Sequence, residues 1–139
     1  MSKLAIFQKE AMDGYEMVVQ IDEMEKNGDK LSINAKDIGE LVISIMHVVV
    51  YGEFVKQHFV EADMDDYKNE NEYLEFANHA KLCHEVNQSR IPTMIATDLA
   101  HSKYPGDRVK GSKFYKICQN IVMEKFRDAV RSSHKFELA

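Results

Sequence analysis

The chain has 139 residues, 45% hydrophobic and 29% charged, with a net charge of −5 and only two cysteines. Such a chain folds rather than staying disordered, and at this length one domain spanning residues 1–139 buries a core without a disulfide or structural metal. No apolar run approaches the roughly 18 residues of a membrane span, and Gln8, Lys9 and Glu10 interrupt the N-terminal segment where a leader would be apolar. The expected protein is cytoplasmic, with reduced cysteines and no membrane partner.

Two prolines, six glycines, no tryptophan and eight methionines favour long helices over many turns. The first predicted helix covers residues 4–26, with Leu4, Phe7, Ala11, Met12, Tyr15, Val18, Val19, Ile21 and Met24 mostly three or four apart. Asn27-Gly28 then supplies a left-handed residue to close it. The same dipeptide suits a tight hairpin pairing "EMVVQI" with "KLSIN", an alternative that the helical period disfavours.

A second helix starts at Ala35. Asn34 is placed to cap it, Asp37 completes a capping box, and Ile33 is positioned to staple against Ile38. Its apolar residues continue to Phe59, and "VISIMHVVVY" is apolar nearly all round, which marks this helix as the centre of the core. Gly52 is expected to bend or end it, at about 1 kcal/mol relative to alanine.

The acidic stretch "EADMDDYKNENE" fits the start of a third helix running to about Asn87, with Asp63, Asp65 and Asp66 at the positive end of its dipole. "NQSRIP" breaks it. Pro92 opens a short fourth helix expected to be buried through Met94, Ile95 and Leu99. "PGDRVKG" stops that helix, and Ser112 is expected to cap a last one reaching about Ser133. Its apolar side is read as Phe114, Ile117, Cys118, Ile121, Val122, Phe126, Ala129 and Val130. The expected fold is an all-α, single-domain bundle of four long helices and one short helix, and extra apolar width on the first or second helix would suit a homodimer.

Chemistry-bearing motifs are scarce. "EFANHAKLCHE" puts Glu75, His79 and Cys83 one turn apart on a single face, but such ligands are nearly collinear and a tetrahedral metal site needs another from His47 or His58. The expected role of Cys83 is inward packing, and no cofactor is expected. No Glu-x-x-His, Cys-x-x-Cys, G-x-S-x-G or P-loop occurs, and the segment from Asp63 puts Lys68 where a calcium loop requires glycine. Cys83 and His84 are adjacent on a helix and point about 100° apart, which removes the one Cys–His pair suggestive of nucleophilic catalysis. A helix-turn-helix reading of "INAKDIGELVISIMHV" fails because Val42 to Val50 continues without a turn. The expectation is a non-enzymatic protein.

Charge is divided unevenly. Residues 1–100 hold nine Lys and Arg against 19 Asp and Glu, and residues 101–139 hold nine against four. The leading functional expectation is a small helical interaction protein, a regulator or inhibitor that binds a protein partner. Its acidic face would comprise Glu61, Asp63, Asp65, Asp66, Glu70, Glu72 and Glu75. The alternative is nucleic-acid binding through Lys103, Arg108, Lys110, Lys113, Lys116, Lys125, Arg127 and Arg131, with Tyr104, Phe114 and Tyr115 stacking on unpaired bases. In composition and size the chain resembles small accessory proteins of phages and mobile elements, a likeness that assigns no residue a role.

Overall fold

A computed structural model describes residues 3–54, 70–103 and 108–132. Among them are five helices and no strand: α1 (Lys3–Lys26), α2 (Ala35–Phe54), α3 (Glu70–Gln88), α4 (Ile91–Lys103) and α5 (Arg108–Arg131). This is the expected all-α bundle of four long helices and one short one.

The architecture follows from α2. Ile45, Met46, His47, Val48, Val49, Val50, Tyr51 and Gly52 are consecutive and all buried, so this stretch of the helix is enclosed on every side. Valine and isoleucine are mediocre helix formers, and a run of them stays helical because the surrounding helices reward the burial. Around α2 stand α1, α3, α4 and α5, each packed against it, and one buried cluster draws residues from all five. Phe7 of α1 lies at the centre of an aromatic group, with its ring centroid 4.9 Å from His47, 6.3 Å from Tyr51 and 5.2 Å from Phe126.

Two glycines set how closely the helices approach. A methyl group on Gly14 of α1 would run into the Ser44 carbonyl oxygen and come within 2.9 Å of the Val48 side chain on α2. On Gly52 it would lie 2.6 Å from the Cys83 carbonyl oxygen and 3.0 Å from the Asn87 Cβ on α3. Gly52 therefore sits inside α2 as a place for α3 to press in, where the sequence suggested a bend or an end. Asn87 Nδ2 donates to the Val49 carbonyl at 3.3 Å, and His84 Nδ1 lies 3.3 Å from the Gly52 carbonyl. These side chains bring polar contacts from α3 to carbonyls in the last turns of α2.

The joints obey local chemistry. After α1, Gly28 has φ 76°, its N–H donates to Glu25 O at 3.1 Å and Asp29 N–H donates to Met24 O at 2.9 Å. That pair of bonds is a Schellman closure, so Asn27-Gly28 ends a helix and makes no hairpin. Asn34 stands immediately before α2, and its carbonyl accepts from Asp37 N–H at 2.9 Å. Between α3 and α4, Arg90 takes the left-handed conformation, φ 61°, a short reversal before Pro92.

Two expectations are corrected. Helix α5 begins at Arg108, so Ser112 lies inside it and not at its N-cap position; the helix starts one turn earlier than the serine suggested. Met94 is 61% exposed, and Ile117 and Ile121 are 47% and 50% exposed, so none of the three is core. On α5 the core takes Cys118, Val122, Phe126, Ala129 and Val130 instead. Phe59 and the predicted start of the third helix, with Asp63, Asp65 and Asp66, lie outside the described residues.

The close α1–α2 approach predicts that Gly14→Ala destabilises the protein by about 1–3 kcal/mol, although alanine is the better helix former. Urea unfolding monitored by circular dichroism measures this. An unchanged or raised midpoint would contradict the packing described.

Candidate functional site

A histidine inside the most buried stretch of the chain has to be served from within. His47 Nδ1–H donates to the Ile43 carbonyl one turn back at 2.8 Å, which leaves Nε2 to face the neighbouring helices. From α1, Glu10 Oε2 lies 2.7 Å from Nε2. From α5, Lys125 Nζ lies 2.7 Å from the same carboxylate oxygen and 3.4 Å from Nε2. The ring itself is 4% exposed, whereas Glu10 and Lys125 are 38% and 49% exposed, so the cluster is closed on the imidazole side and open to water on the ion-pair side.

The electrostatics follow from that asymmetry. Burial lowers the His47 pKa; the Ile43 carbonyl and the Glu10 charge oppose this, the Lys125 charge reinforces it, and the net direction is down. Burial works to raise the Glu10 pKa. The Lys125 hydrogen bond and the charges of His47 and Lys125 outweigh it and hold the carboxyl below its ordinary range. At neutral pH the carboxylate is ionised and the ring neutral, and the Lys125 ammonium supplies the protons between them. The sequence reading considered His47 only as a remote metal ligand and gave Glu10 no role. The available signal was the histidine itself, a polar group amid "VISIMHVVVY" that a buried helix must satisfy.

The Glu75, His79 and Cys83 face of α3 turns largely toward α1. Gln8, itself buried, places Nε2 2.9 Å from His79 Nδ1, and Cys83 Sγ lies 3.9 Å from Met12 Sδ. Both pairs are 71 residues apart, so α1 and α3 run parallel in fixed register along this stripe. Glu75 is exposed. Among the described residues no three His, Cys, Asp or Glu side chains converge as metal ligands. Burial pushes the Cys83 thiol up to about 12 and also raises that of Cys118, so neither is a thiolate at neutral pH.

The basic segment divides. Lys103 Nζ sits 4.5 Å above the Phe114 ring, and Lys125 is held by Glu10, so both are engaged within the fold. Phe114 and Tyr115 are half-buried and pack against the core. Lys113, Lys116, Arg127 and Arg131 are exposed on α5 and pair with no described carboxylate. At 100° per residue these four fall within an arc of roughly 60°, together with Asn120. Beside them Ile117 points about 160° away from the middle of the buried arc, and Ile121 follows one turn later. The side chains of Arg108 and Lys110, and Tyr104, lie outside the described residues.

Of the acidic face, Glu61, Asp63, Asp65 and Asp66 lie outside the described residues, as do the side chains of Glu70 and Glu72. No protein family, curated protein or solved structure matches this chain.

Both acid-side shifts act on stability in one direction. A group whose folded pKa is depressed contributes stability that is present above its unfolded pKa and is lost as pH falls through the folded value. Stability should therefore be greatest at neutral to mildly alkaline pH and decline in two stages, below about 6.5 from His47 and below about 4.5 from Glu10. Thermal midpoints recorded against pH should lose the upper stage in His47→Gln. An identical pH profile for His47→Gln and wild type would contradict the assignment.

Proposed function

We propose that this chain is a non-enzymatic helical interaction protein, a regulator or inhibitor that binds a protein partner through the outer face of α5. The observation that carries the reading is the pair of half-exposed isoleucines, Ile117 and Ile121, beside a stripe of Lys113, Lys116, Arg127 and Arg131 that no described carboxylate neutralises. A protein surface that offers an apolar contact with acidic side chains at its edge complements such a face, because desolvated apolar groups supply affinity and complementary charges supply steering. Phosphate recognition would need the cations but has no use for the isoleucines.

The reading shifts the working surface from the acidic segment to α5. It keeps the expected class of partner and relocates the contact.

Affinity capture from cells that express the protein naturally tests it, run in parallel with Ile117→Asp/Ile121→Asp and with Lys113→Glu/Lys116→Glu. A stoichiometric protein should be retained by the wild type, survive nuclease treatment and bind at least about tenfold more weakly to either double variant. Capture of nucleic acid alone would replace this reading with the second one. In that case affinity would fall with log[salt] at a slope of about 0.9 per phosphate contacted, close to four units if these four cations each meet one.

A further inference from the structure

Once the ring is charged, two cations share one carboxylate: His47 Nε2 and Lys125 Nζ each lie 2.7 Å from Glu10 Oε2. With Nδ1–H committed to the Ile43 carbonyl, neutral His47 presents a bare lone pair at Nε2, 2.7 Å from a carboxylate oxygen. Two lone pairs at that distance repel, and the Lys125 ammonium, 2.7 Å from Oε2 and 3.4 Å from Nε2, is the donor that holds them together. Protonation reverses the logic. A proton from solvent on Nε2 makes a direct charge-assisted N–H···O bond to Glu10, and it also puts an imidazolium 3.4 Å from an ammonium. Of the two cations, His47 is locked by Phe7 packing and the Ile43 carbonyl, whereas Lys125 is half-exposed on a flexible stem. Lysine is the one free to leave.

We propose that His47, Glu10 and Lys125 form a proton-operated exchange: the neutral ring keeps Lys125 bridged to Glu10, and the protonated ring takes Glu10 for itself and releases Lys125 to solvent. Among the described residues, the groups acting on the ring are Glu10 from α1, Lys125 from α5 and the Ile43 carbonyl of its own helix, with no charged group of α3 or α4. The exchange adds a cation to the exterior of α5 one turn beyond Ile121, in line with Ile117 and Ile121. Acidification thus changes the charge of the exposed helix while leaving the aromatic core in place. The exchange depends only on the three side chains and stands whether or not the outer face of α5 binds a protein.

Side-chain NMR on the full-length protein reads both halves of the device. Ring ¹⁵N shifts give the His47 midpoint and its tautomer, and the Lys125 Nζ signal reports the ammonium environment. In the wild type, the Lys125 signal should move toward a free-lysine position with the same midpoint as His47, and neutral His47 should carry its proton on Nδ1. Lys125→Met should raise the His47 midpoint by at least about 0.5 pH unit, since the competing cation is gone, and Glu10→Gln should lower it. The proposal is overturned if the Lys125 signal stays flat through the His47 transition, or if Lys125→Met leaves that midpoint unmoved or lowers it. The wild-type titration decides the matter even if a variant folds poorly.

Discussion

Everything in this fold is arranged around the burial of the middle of α2. Eight consecutive buried residues leave that stretch no face for water, so the other four helices have to close around it. That requirement explains the positions of Gly14 and Gly52: two neighbours press so near that a methyl group would strike backbone carbonyls. It also explains why carbonyls near the end of α2 are served by His84 and Asn87 from α3. A helix enclosed in this way gains most of its stability from apolar area removed from water, and any polar atom left unserved inside it would cost about 1–3 kcal/mol.

His47 is where that constraint meets electrostatics. A helix surrounded by apolar side chains carries one imidazole, and the fold meets the cost by drawing an acid from α1 and a base from α5 to its edge. The same three groups tie the first and last helices to the central one. Because the ion pair faces water while the imidazole does not, a change in proton count at the ring is transmitted outward along Lys125. The outer face of α5 has a different physical character: Lys113, Lys116, Arg127 and Arg131 pair with no described carboxylate, and Ile117 and Ile121 are half-exposed, which gives that helix a surface the core does not use.

How far the sequence was legible depended on how far local rules sufficed. Helix count, the central place of "VISIMHVVVY" and the closure at Gly28 follow from period, composition and a left-handed glycine, and each is found. Ile117 and Ile121 were misplaced because Ile117-Cys118 and Ile121-Val122 repeat together at four-residue spacing. Two adjacent stripes then satisfy the same period, and only packing decides which is buried. The stripe of Glu75, His79 and Cys83 was readable as one face of a helix, but its partners, Gln8 and Met12, lie 71 residues away from His79 and Cys83. Ser112 misled in the ordinary way of a good capping residue inside a helix, since tertiary contacts override a weak local preference. The His47 cluster brings together residues 10, 47 and 125, a juxtaposition no local pattern encodes.

Native-state hydrogen exchange tests the central place of α2 most directly. If the other helices close around it, the amides of Val48 to Tyr51 should exchange only through global unfolding, with protection equal to the full unfolding free energy, while the ends of α1 and α5 open at lower cost. Protection of those α2 amides below that of α1 or α5 would contradict the account, because a helix that opens before its neighbours cannot be what they are built around.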